Sequence, residues 1–78
     1  MKPSCFYCKK PLRILKIVEI EKEPKETKFY HLEYCQFCGT IYQVVYIMIF
    51  DDDGNWVRTD VNVKEVGKLN LEFLDYYP

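Results

Sequence analysis

Two Cys-x-x-Cys pairs, Cys5–Cys8 and Cys35–Cys38, stand 26 residues apart in a chain of 78. Residues i and i+3 of a tight turn can aim both sulfurs at one point, and backbone N–H groups of the turn can offset thiolate charge. Two such turns, or knuckles, supply four thiolates in the closed tetrahedron of a structural metal site, with zinc–sulfur bonds near ~2.3 Å. Gly39, directly after Cys38, permits the positive φ such a turn often requires. A metal held there ties the beginning of the chain to its middle. Its binding free energy, on the order of 10 kcal/mol or more, becomes folding free energy. A domain below ~80 residues rarely draws more than a few kcal/mol from burial alone, so the site meets a need.

The same cysteines could form disulfides in a secreted protein. The opening Met1-Lys2-Pro3-Ser4 lacks the apolar segment of a secretory signal, and no apolar run approaches the ~20 residues of a membrane helix. The expectation is therefore a cytoplasmic protein with reduced thiols. Neither pair has the strand-to-helix context of a redox dithiol. The metal ligands are expected to be Cys5, Cys8, Cys35 and Cys38, holding one structural Zn²⁺. Iron takes the same four-sulfur tetrahedron and is the alternative.

Hydrophobic residues make up 49% of the chain and the formal net charge is -1, which suits a folded globule better than a charged tail. There is no alanine, which weakens the case for long helices. Residues 12–20 read as a strand whose alternation is broken by Lys16, so a bulge is expected. Residues 21–26 form a charged turn around Pro24, and residues 27–34 return as a second strand. Residues 40–50 are apolar on both faces, as a central strand would be. Asp51-Asp52-Asp53-Gly54-Asn55 is a hairpin turn, followed by a strand over 56–63. Residues 64–78 fit either period. A short helix covering one side of the sheet is expected there, with Asn70 as a cap for 71–76. The fold class is thus mainly β: a small antiparallel sheet of about four strands, with a short C-terminal helix. The whole chain, 1–78, reads as one domain.

This succession of knuckle, hairpin, knuckle and further strand resembles the zinc-ribbon superfamily over about residues 3–50. Cys5, Cys8, Cys35, Cys38 and Gly39 carry the resemblance. The layout is most similar to ribbons of transcription machinery, including the elongation factor S type. The resemblance implies a structural zinc and a surface that binds nucleic acid, polymerase subunits or other proteins. Two departures stand out. Lys9, where the family often has glycine, follows the first pair. The hairpin tip reads Glu23-Pro24-Lys25-Glu26, without the adjacent Asp-Glu pair of elongation-factor-S ribbons, so that activity is not carried over. Rubredoxins also hold one ion between two Cys-x-x-Cys turns, but their intervening segment is rich in loops.

No enzymatic constellation is visible. Ser4 is the only serine, the three glycines are isolated, and Asp51–Asp53 lack the alternation of a calcium loop. His31, the only histidine, shares a strand face with Phe29 and Glu33 and is expected to be half-exposed. The leading expectation is a non-enzymatic, structural-zinc module that binds a protein partner as an accessory or regulatory factor, in transcription or another nucleoprotein assembly. An uncovered apolar face or strand edge on 40–50 would serve that partner, or a second copy in a homodimer. Direct nucleic-acid binding is the second expectation, through Lys9, Lys10 and Arg13, with tyrosines and Trp56 available to stack on bases. The net charge of -1 argues against it.

Overall fold

The computed structural model describes residues 3–69. They form a four-stranded antiparallel meander: β1 (Arg13–Lys22), β2 (Glu26–Tyr34), β3 (Thr40–Phe50) and β4 (Trp56–Lys68), in the order β1-β2-β3-β4. Among these residues no helix is long and apolar enough to cross a membrane.

Each turn forms where local chemistry demands it. Pro24 and Lys25 make the first tip, closed by reciprocal bonds between Glu23 and Glu26: Glu23 N–H to Glu26 O at 2.8 Å and Glu26 N–H to Glu23 O at 3.3 Å. The second tip is folded by Asp51. Its carboxylate accepts from the N–H groups of Asp53 (3.0 Å) and Asn55 (2.9 Å), while Gly54 supplies φ 83°. The two tips touch, through Phe50 N–H to Lys25 O at 2.9 Å and a Lys25–Asp52 ion pair.

The broken alternation of β1 resolves into two bulges. Pairing skips between Ile14 and Lys16 and again between Ile17 and Glu19. Ile14, Ile17 and Ile20 therefore sit opposite Glu33, His31 and Phe29, three residues of one β2 face. That face continues through Tyr42, Val44 and Tyr46 of β3 to Val63 and Val61 of β4.

Two expectations need correction. Residues 64–68 are strand, because β3 begins at Thr40 and offers partners as far as Thr40↔Lys68. The expected helix over 71–76 lies outside the described residues. Strict alternation over 56–63 would put Trp56 on one face with Arg58, Asp60 and Asn62; a further register shift before Phe50 pairs it with Trp56 and turns Trp56 to the other face. Its indole N–H instead donates to Thr59 Oγ1 at 2.9 Å.

The core lies at the cysteine end. Cys5, Leu12, Cys35, Tyr42 and Val44 are its buried apolar residues, with Cys8, Cys38, Tyr46 and Val63 packed against them. Among the described residues so small a core leaves much of the folding free energy to come from elsewhere.

Candidate metal centre

The hairpin β1–β2 separates the two knuckles in sequence and returns the chain to place them side by side. Knuckle 1 is closed by Cys5 N–H to Lys10 O (2.9 Å) and Lys9 N–H to Cys5 O (3.1 Å). Knuckle 2 repeats this pattern, with Cys35 N–H to Thr40 O (3.0 Å) and Gly39 N–H to Cys35 O (2.8 Å). Lys9 thus stands where Gly39 stands in its partner, and both are left-handed, at φ 59° and 80°. The missing glycine is replaced by a lysine in the same conformation.

All four sulfurs lie within 4.8 Å of one another. Zinc–sulfur bonds of ~2.3 Å set tetrahedral sulfurs about 3.8 Å apart. Cys5 Sγ and Cys38 Sγ are 3.7 Å apart. The donor set and spacing fit one metal ion, with Cys5 and Cys35 buried and Cys8 and Cys38 partly exposed.

Neighbouring groups are placed to receive thiolate charge. The Tyr42 hydroxyl lies 3.3 Å from Cys5 Sγ and accepts Phe6 N–H at 3.1 Å, and its ring meets Phe6 edge-on at 4.9 Å. Cys8 N–H donates to Cys5 Sγ at 3.4 Å, and Thr40 Oγ1 is 3.1 Å from Cys38 Sγ. Burial acts to raise the Cys5 thiol, but the Tyr42 hydroxyl and the N–H groups of Cys8 and Tyr7 outweigh it and bring it down to about 6. The Thr40 hydroxyl and N–H likewise lower Cys38. Cys8 is pushed up to about 12 by its hydrogen bond to Cys38, by burial and by Cys35. Without a cation, four crowded sulfurs keep a proton on Cys8; a bound ion takes its place.

Two ties brace the centre against β4. Tyr7 O–H donates to Glu65 Oε1 at 2.6 Å, which raises the Tyr7 phenol, and Leu69 N–H donates to Gly39 O at 2.6 Å. Sequence reasoning missed the role of Tyr42. It is fully buried, so it serves a sulfur and cannot stack on a base. The only signal was its place on the Tyr42, Val44, Tyr46 face.

Lys9, Lys10 and Arg13 are exposed at this end. Lys10 Nζ sits 5.8 Å from the centre of the exposed Phe37 ring and so bridges the knuckles. His31 departs from expectation. Its side chain is 13% exposed, with Nδ1 3.4 Å from Glu33 Oε2 and the ring 4.9 Å from Tyr46. Tyr46 O–H donates to the same carboxylate oxygen at 2.7 Å. This group lies on the sheet, apart from the sulfurs.

No family model, curated protein or solved structure matches the chain. The clustered cysteines in a small antiparallel sheet fit a zinc-ribbon-like, metal-binding module.

Proposed function

We propose that the four cysteines hold one structural zinc ion, and that the protein is a non-enzymatic interaction module. The convergence of four sulfurs within 4.8 Å, each knuckle folded by the same backbone bonds, carries this reading. Four thiolates fill the tetrahedron and leave no open position for substrate, as a structural site requires. The zinc-ribbon layout supports an accessory or regulatory role in a transcription or other nucleoprotein assembly, with a protein partner.

Metal analysis by mass spectrometry on protein purified without added metal, with a visible spectrum of the same sample, tests the centre. One zinc per chain and no colour is the expected result. One iron with strong visible bands would replace zinc by an electron carrier. No metal and oxidised thiols would remove the centre altogether.

A second reading, direct nucleic-acid binding, is favoured by one cluster: exposed Lys9, Lys10 and Arg13 beside exposed Phe6, Tyr7 and Phe37. Lys10→Glu with Arg13→Glu should then abolish salt-dependent binding to a single-stranded oligonucleotide while the metal stays bound.

A further inference from the structure

The outer strand of a sheet presents unpaired backbone N–H and C=O groups, and proteins blunt such edges with bulges, prolines or a covering segment. The meander has two edges among the described residues, β1 and β4. Two bulges, at Leu15 and Val18, interrupt β1 and keep its outer groups from forming a regular ladder. β4 carries no such device over most of its length. From Arg58 to Glu65 its pairing with β3 runs without a shift, and this stretch contains no proline. Every residue of β4 except Val63 is exposed.

The sequence of β4 is complementary to itself. A two-fold axis normal to the sheet sets two copies antiparallel, and each residue meets the one equally far beyond the axis. Trp56–Lys68 is centred on Asn62, so overlap is greatest with the axis beside Asn62. In that register Asp60 of each copy lies opposite Lys64 of the other. Both side chains, with Asn62 between them, occupy the sheet face of Ile47, Val45 and Gln43, and the axis keeps that face continuous across the junction. The two opposite-charge pairs are therefore direct cross-strand neighbours. Within one chain Arg58 Nε–H donates to Asp60 Oδ2 at 3.4 Å, and in this register Arg58 lies opposite Val66, away from Lys64. On the other face Val61 and Val63, which lie beside Tyr46 and Val44, meet Val63 and Val61 of the second copy. That contact covers Val61, 37% exposed in the single chain. Slipping two residues one way sets Arg58 against Lys64, and the other way sets Asp60 against Val66; either loses both ion pairs. A one-residue slip mismatches the faces.

We propose that β4 is the interface of a homodimer, two copies joined edge to edge about Asn62 into one antiparallel sheet with four strands from each. Alternate rungs of an antiparallel ladder carry two backbone bonds, so residues 59–65 supply about six to eight. The contact is small by the standard of specific interfaces, so monomer and dimer exchange. Residues 70–78 follow β4 directly and are too short to take the place of the second copy. Turned back by a two-residue hairpin at 70–71, they would reach no farther than Val63, leaving β4 open from Trp56 to Asn62. The pairing uses β4 alone and is independent of what the cysteines hold.

Sedimentation of the full chain across micromolar to millimolar concentration, with circular dichroism and metal content measured on the same sample, is the test. The expected result is a monomer–dimer equilibrium. Asp60→Lys and Lys64→Asp each turn two attractive pairs into two repulsive ones and should weaken the dimer about 10-fold. The double exchange, Asp60→Lys with Lys64→Asp, should restore it. Both positions are exposed, so the sheet itself should be unchanged in all three variants. Carbodiimide coupling in a mixture of isotopically labelled and unlabelled protein should join Asp60 of one copy to Lys64 of the other. A full chain that stays monomeric at millimolar concentration with its sheet intact overturns the dimer, whatever metal it holds. A dimer that the single reversals leave unweakened, or that the double exchange fails to restore, overturns the pairing through β4.

Discussion

Lys9 sits at φ 59°, in the region where Cβ crowds the backbone, at a cost of order 1 kcal/mol. Lys9→Gly relieves that strain and gives back part of the gain as unfolded-chain entropy. Thermal unfolding of the metal-loaded protein should show a gain of about 0.5–1 kcal/mol, and Lys9→Val a loss of about 1–2 kcal/mol. Equal melting of all three would refute the strain. Tyr42→Phe removes the hydroxyl beside Cys5 and keeps the buried ring. Metal affinity in a competition titration should fall about 10-fold or more, with the sheet intact. Tyr46 is one alkaline-sensitive residue. Burial, then its hydrogen bond to Glu33, holds its phenol above the ordinary value near 10. The neutral phenol therefore adds stability that is full below about pH 10 and is lost as pH rises through the raised folded value. Tyr46→Phe should remove its share of the alkaline loss, measured by denaturant unfolding against pH. None of these three roles could be read from the sequence. A left-handed lysine has no spacing signature, and a tyrosine at an apolar position is equally consistent with core packing.

The two tips and the two knuckles were legible because each rests on a residue with one dominant local use: Pro24 in a turn, Gly54 at positive φ, cysteines at i and i+3. The bulges of β1 were legible only as a fault in alternation. Leu15 and Val18 are as apolar as their neighbours, so only the β2 partner fixes which residue is skipped. The far end of β4 was not legible, since Lys64-Glu65-Val66-Gly67-Lys68 alternates no better than it cycles. Its strand character comes from β3, which extends far enough to pair with it. Hydrogen exchange should therefore show the amides of 64–68 that face β3 protected like those nearer Trp56. Free exchange there would contradict the register. Asp51→Ala strips the second tip of two bonds and should cost about 1–2 kcal/mol in denaturant unfolding.

At the scale of the molecule, two of the five buried apolar core residues among those described, Cys5 and Cys35, belong to the proposed metal centre. Chelation should therefore abolish the cooperative thermal transition, and one equivalent of zinc should restore it. An apo protein that melts unchanged would refute this dependence. Both ends of the described chain lie beside the centre. Pro3 O accepts Leu12 N–H at 3.3 Å, and Leu69 N–H reaches Gly39 O at 2.6 Å. The hairpin tips project from the opposite end. Tension applied between residues 3 and 69 would thus meet two unlike resistances. At one side β4 peels from β3 rung by rung, an unzipping that yields under little load. At the other, with the proposed ion bound, the pull on Cys5 would bear on the metal–sulfur bonds directly. Under such tension the strand would open first and the proposed ion would hold as the last rivet.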